Sequence, residues 1–284
     1  MLKIFVFIIN LFLLEGIANS SDLENNVKKK AANSLTNFFE SNFQNTEFSI
    51  TGTERNKPDF EILTVQPLTD VGQSVTFMQG SALRHDGDRE TINLGLGHRV
   101  LSSDESFLYG VNAFYDHEFD YDHGRASLGT EVKSSILEFN SNIYLRNSDS
   151  KTGKNNKSEE TADGYDYELG THIPYIPTWK LYIKQFEWDM LGQKDLEGSE
   201  YSTELFIPKS GMTLSAGVTD YTNHKDNWFI GLTYNFSKVD TGNPFIQNKA
   251  YEKTSMNNQM LTKVRRENKI IKKKGGFSVI ASGF

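Results

Sequence analysis

The chain has 284 residues, no cysteine and a formal net charge of −7, with 37% hydrophobic residues. Without a thiol, disulfide frameworks, thiolate metal sites and cysteine nucleophiles are excluded. No internal apolar run reaches the roughly eighteen residues of a membrane-spanning helix, but a membrane barrel hides its apolar residues at alternate positions and is not excluded.

Residues 1–18 read as a cleaved export signal: Lys3 gives a basic start, residues 4–14 are almost wholly apolar, and Gly16-Ile17-Ala18 supplies a cleavage site near Asn19. In the segment 19–44, a helix is expected over 23–43. Leu23, Val27, Leu35, Phe38 and Phe39 form an irregular apolar stripe there, and Lys28, Lys29 and Lys30 are solvated. A plain spacer is the alternative.

Twelve strands are then expected, at 45–53, 60–67, 73–82, 89–100, 107–119, 125–134, 137–147, 164–173, 179–187, 201–208, 212–222 and 227–237. Residues 107–118 carry the clearest pattern. Phe107, Tyr109, Val111, Ala113 and Tyr115 share one face, and Leu108, Gly110, Asn112, Phe114, Asp116 and Glu118 share the other. Such runs approach the ten or so residues a tilted strand needs to cross a bilayer, whereas soluble sandwiches use strands of about five or six. An even strand count is what closure into a bacterial barrel requires. The fold class is therefore all-β, a transmembrane antiparallel barrel of about twelve strands.

Connections after even strands are short, whereas 148–163 and 188–200, after odd strands, are long and polar. Outer-membrane barrels have short periplasmic turns and longer external loops, so both barrel ends are expected in the periplasm. Leu94, Leu96, Phe139, Ile143, Trp228 and Ile230 are expected to face lipid, with tyrosines and tryptophans near strand ends as interfacial girdles. The pore-lining candidates are Arg99, Asn112, Asp116, Glu118, Glu131, Glu138 and Arg146. Inward glycines at 95, 97, 110, 129, 170, 217 and 231 are expected to relieve strain and let another backbone approach, with curvature of the wall alone as the alternative.

Catalysis finds little support. Asp116 and His117 are adjacent and point to opposite faces of a strand. The six histidines show no metal-ligand spacing, and no Gly-x-Ser-x-Gly elbow occurs. No catalytic residue, metal or cofactor is assigned.

Charge divides the chain. Residues 45–240 hold 31 acidic and 17 basic residues, a net of −14, whereas 241–284 hold 2 acidic and 9 basic, a net of +7. An acidic body and a basic tail attract each other, and nucleic acid is the weaker use of a basic tail in an exported protein. A plain porin ends at its last strand; here a tail of 44 residues follows. At about 3.3 Å per extended residue, it is long enough to cross a roughly 30 Å membrane core several times. A porin-like channel for small solutes and a soluble β-sandwich remain the alternatives.

The strands resemble the β-domain of inverse autotransporters, the intimin and invasin group. The resemblance rests on Asn93-Leu94-Gly95-Leu96-Gly97-His98-Arg99, Gly110-Val111-Asn112-Ala113-Phe114-Tyr115-Asp116, Gly124-Arg125-Ala126-Ser127-Leu128-Gly129-Thr130-Glu131 and Phe139-Asn140-Ser141-Asn142-Ile143-Tyr144. Asp163-Gly164-Tyr165-Asp166 and Ile173-Pro174-Tyr175-Ile176-Pro177 continue it, so that it covers roughly 45–274. The resemblance implies twelve strands and a chain that re-enters the pore from the periplasm and runs outward, carrying an adhesive passenger. The linker begins near 264–271, with Lys263, Arg265, Arg266 and Lys269 as candidates to meet the acidic wall. Family passengers are long domain arrays, while only 275–284 follow the linker here, so the passenger is expected to be minimal or lost. Expected partners are outer-membrane lipid and lipopolysaccharide, the barrel assembly machinery and periplasmic chaperones, with no nucleic acid.

Overall fold

The computed structural model describes residues 44–54, 57–153, 156–190, 194–237 and 244–274. The expected signal, the helix over 23–43 and the stretch after 274 lie outside the described residues. Fifteen strands occur among them. They are β1 (Thr46–Thr53), β2 (Asp59–Pro67), β3 (Ser74–His85), β4 (Arg89–Leu101), β5 (Phe107–Glu118), β6 (His123–Ser134), β7 (Leu137–Arg146), β8 (Lys151–Thr152) and β9 (Ser158–Thr161). There follow β10 (Asp163–Ile173), β11 (Ile176–Asp189), β12 (Leu196–Ile207), β13 (Met212–Tyr221), β14 (Asn227–Asn235) and β15 (Lys272–Lys274).

Twelve of these strands close into an antiparallel barrel in the order β1-β14-β13-β12-β11-β10-β7-β6-β5-β4-β3-β2. Closure is made by β1 against β14, from Glu47 opposite Asn235 to Thr53 opposite Phe229. β7 pairs directly with β10, because the connection between them folds into a separate three-stranded sheet, β15-β9-β8. Closure leaves no unpaired edge in the wall, which backbone amides facing hydrocarbon require.

The alternation of sequence becomes an inside-out barrel. Leu96 and Ile230 are 56% and 59% exposed on the outer surface, while Arg99, Asp116 and Glu118 are 0% exposed inside. In water an outer band this apolar would cost about 25 cal/mol per Å² exposed; in lipid it costs nothing.

Several strands are longer than the sequence pattern suggests, β11 and β12 most of all. β11 starts at Ile176 rather than 179, and β12 at Leu196 rather than 201. Pro177 and the polar run Glu197-Gly198-Ser199 read as loop, yet in a barrel every second position faces a polar lumen and such residues are admissible. The connection expected over 188–200 is thereby cut to 190–195, and length asymmetry between the two rims rests on 147–162 alone. We call the end carrying the connections 102–106, 135–136 and 208–211 the turn rim, and the opposite end the loop rim. Gly211 has φ +72° in the turn joining β12 and β13, a conformation in which a side chain is strained.

The inward glycines have a different role from the one expected. A Cβ on Gly95 would collide with the Phe114 ring, one on Gly97 with Phe77, one on Gly110 with Glu131 and one on Gly170 with Tyr182. They make room for large inward side chains of neighbouring strands, rather than for another backbone.

Candidate functional site: a cationic segment inside the lumen

After β14 the described chain resumes at 244. Gln247 N–H donates to the Tyr175 carbonyl at the β10–β11 turn (2.9 Å), and Met256 N–H donates to the Glu105 carbonyl at the β4–β5 turn (2.9 Å). A 3₁₀ turn at Asn257–Gln259 follows. The chain then runs up the interior to β15, which pairs with β9 beyond the loop rim.

The entry is apolar. Met256, Met260 and Val264 pack with Leu63, Val65, Val75, Phe77, Leu101, Leu108 and Phe114 in one buried cluster. This patch removes water from the turn-rim end of the segment and fixes its side of the lumen.

Above it the segment belongs to no sheet, so its backbone groups need other partners. Wall side chains supply them. Arg99 Nη1 donates to the carbonyls of Met260 (3.0 Å) and Thr262 (2.6 Å). Gln79 Oε1 accepts from Val264 N–H (2.8 Å), and Asn142 Nδ2 donates to the Arg265 carbonyl (3.1 Å). Arg125 Nη2 donates to the Glu267 carbonyl (2.6 Å), and the Tyr144 hydroxyl accepts from Glu267 N–H (2.7 Å) while donating to Asp166 (2.6 Å).

Charges follow the same division. Lys263 meets Glu47 (2.7 Å), and Arg265 lies between Glu168 and Glu204, with its guanidinium 3.7 Å from the Tyr182 ring centroid. Arg266 makes a bidentate pair with Asp116 (2.6 and 3.0 Å), and Arg125 meets the same carboxylate at 2.8 Å. Lys269 pairs with Asp59, and Lys272 with Glu118. In a site closed to bulk water such pairs are strong only if each charge keeps its partner.

The sequence-derived pore-lining residues divide into three groups. Arg99, Asp116 and Glu118 touch the internal segment, and Glu131 orients Arg99 through its Nε (2.5 Å) and Nη2 (3.1 Å). Asn112 and Glu138 are inward and buried but belong to the wall, Glu138 pairing with Lys180. Arg146 must be corrected. It lies half-exposed at the loop rim, bound to Glu160 (2.5 Å) and near Asp163 (3.6 Å), because the last inward position of a strand clears the lumen. All four linker candidates meet carboxylates. Sequence reasoning missed Glu47, Asp59, Gln79, Arg125, Glu168 and Glu204 on the wall and Lys272 on the segment. Arg125 shares inward parity with Glu131 on β6 and Glu168 with Gly170 on β10, a signal available in the pattern.

At the loop rim Glu118, His123 and Glu159 present ligand atoms within 4.8 Å of one another, a geometry compatible with a metal. Arg89, however, bridges Glu118 (2.5 Å) and Glu159 (2.7 Å), and Lys272 takes the other oxygen of Glu118. Both carboxylates are already neutralised by side-chain cations, and a metal would have to displace one. Burial pushes the Glu159 carboxyl up, but the nearby His123 ring (3.5 Å) and the hydrogen bonds from Arg89 outweigh it and hold its pKa at about 2.

The internal segment leaves part of the lumen open. A cavity of about 500 Å³ remains beside it, reaching Ser49, Glu61, Ser202, Ser215 and Thr233 on the β1, β2, β12, β13 and β14 wall.

A closed twelve-stranded barrel with an apolar outer band and a charged interior is an outer-membrane barrel. The family match specifies which kind: residues 16–268 match the inverse autotransporter β-domain, and the chain belongs to that family. It resides in the outer membrane of Gram-negative bacteria. Invasin of Yersinia enterocolitica is 22% identical over 229 residues, covering 76% of this chain and 27% of that protein. The inverse autotransporter adhesin YeeJ of Escherichia coli is 29% identical over 130 residues, covering 44% of this chain and 5% of that protein. The chain thus spans a small part of the length of these relatives. A solved membrane-protein structure, from work on in-meso crystallization, shares the fold with a TM-score of 0.63 at 20% identity, covering 81% of this chain and 99% of that one.

Proposed function

We propose that the barrel is a translocator and anchor that passes its own C-terminal segment from the periplasm to the cell surface and then holds it in the lumen. The observation that carries this reading is the set of ion pairs along residues 263–272, where Lys263, Arg265, Arg266, Lys269 and Lys272 each meet a carboxylate of the wall. A porin wall has no use for a cationic strand of its own chain with this registry. In this reading the turn rim faces the periplasm and the loop rim the exterior. The role is mechanical rather than enzymatic, in keeping with adhesin-type relatives. The wall carries acidic charge to draw in the basic segment, and side-chain donors and acceptors replace a sheet for its backbone. Assembly through the barrel machinery and periplasmic chaperones belongs to the same proposal.

An epitope tag placed after Phe284 tests the reading. Detection on intact cells is expected. Detection only after the outer membrane is permeabilised would refute it. The residual cavity of about 500 Å³ favours a second reading, a narrow channel for small solutes alongside the segment.

A further inference from the structure

We propose that the β8–β9 hairpin is an exit clasp: its free edge takes up the emerging segment of this chain as an added strand, and Lys272 stops that segment in a single register. The proposal rests on the reading that the segment passes outward through the lumen. The family match ends at residue 268, so the strand at 272–274 lies beyond it.

The hairpin arises from the long connection between β7 and β10. β8 covers one edge of β9, and β15 covers the other, with Lys272 opposite Thr161, Lys273 opposite Glu160 and Lys274 opposite Glu159. Ala162 N–H donates to the Ile271 carbonyl at 3.0 Å and continues the ladder into the lumen. Strand addition of this kind binds main chain and reads little of the side chains. The edge of β9 is therefore suited to hold any extended stretch that passes the rim.

A grip indifferent to sequence needs a stop. Glu118 and Glu159 are both buried at the rim, with one guanidinium, Arg89, between them. The second negative charge is balanced by Lys272 on Glu118. One residue earlier, Ile271 fills an apolar cluster with Tyr144, Phe186, Trp188, Met190, Leu196 and Tyr221. Sliding by two residues in one direction sets Ile270 before Glu118 and leaves a buried carboxylate without its cation. Sliding by two in the other sets Lys274 there, but pushes Lys273 into the apolar cluster. Each slip strands a charge, which is among the larger penalties a buried site imposes. A slip of one residue turns every side chain to the opposite face.

The chain has no cysteine, so defined pairs can be introduced into the full-length protein in outer membranes. Q79C reports the register through its cross-linking by a short bis-methanethiosulfonate reagent to V264C, compared with cysteines placed at 262 or 266. With the hairpin intact, the 264 partner is expected to dominate by at least about tenfold, given the penalty for an uncompensated Glu118. Replacing 151–161 with a glycine-serine segment of equal length should reduce that preference to less than about threefold, and K272A should do the same. Heat-modifiable mobility in SDS confirms a folded barrel for the hairpin variant, and K272A lies outside the barrel strands. An unchanged preference in both variants would overturn the clasp while leaving the lumenal reading intact. Failure of the Q79C/V264C pair to cross-link with the hairpin intact would overturn the lumenal reading, and the clasp with it.

Discussion

Asp116 sits where wall and internal segment share a charge, and its removal should be far more damaging than removal of either cation it serves. Its carboxylate is 2.8 Å from Arg125 on β6 and 2.6 Å from Arg266 on the segment, and all three side chains are fully buried. Asp116→Ala leaves two guanidiniums facing each other without an anion. Arg266 retains the Ser127 hydroxyl (3.0 Å) and Arg125 the Glu267 carbonyl (2.6 Å), neither of which carries charge. Breaking a buried pair in this way costs about 3–5 kcal/mol. Arg266→Ala leaves Asp116 still paired with Arg125 and should cost less, about 1–3 kcal/mol. The double variant then loses one stranded cation, so the two effects should fall short of additivity by about 1–3 kcal/mol. Guanidinium unfolding of the refolded barrel in phospholipid vesicles, followed by tryptophan fluorescence, measures all three. Equal costs for the two single variants, with strict additivity, would refute the shared-carboxylate account.

Other outcomes follow from the same geometry. Leu96→Arg places a cation on the lipid face and should destabilise the barrel by about 2–4 kcal/mol in vesicle unfolding, whereas a lumen-facing arginine is tolerated. Gly97→Val drives a side chain into the Phe77 ring and should cost about 1–3 kcal/mol by overpacking, read as a lowered unfolding midpoint. Acid should loosen the clasp through Glu159. Its folded pKa, about 2, lies below the unfolded value, so its stabilisation is present above roughly pH 4 and lost as pH falls toward 2. An environment-sensitive dye at K273C should report no change between pH 7 and 5 and a transition below about 4; a transition near pH 6 would contradict the assignment to Glu159.

Much of the wall was legible because a barrel writes itself in period two. The faces of β5 and the inward parity of Arg99, Glu131 and Glu138 follow from alternation alone. What alternation lacks is position along the strand. Arg146 has inward parity but stands one step past the lumen, and β12 extends through a polar run that reads as loop. The basic tail and acidic wall were visible as a charge imbalance, but their registry was not. That Arg266 meets Asp116 and Lys272 meets Glu118 depends on contacts about 150 positions apart in sequence. The clasp was hidden for the same reason: a few residues of β9 acquire meaning only when β15 arrives beside them.

The central claim, that the barrel's own basic tail occupies its lumen, is tested most directly by single-channel conductance in planar bilayers with residues 241–284 removed. The full chain should show only the conductance of the residual cavity, and the truncated barrel should show a conductance several times larger. Equal conductances for the two would contradict it.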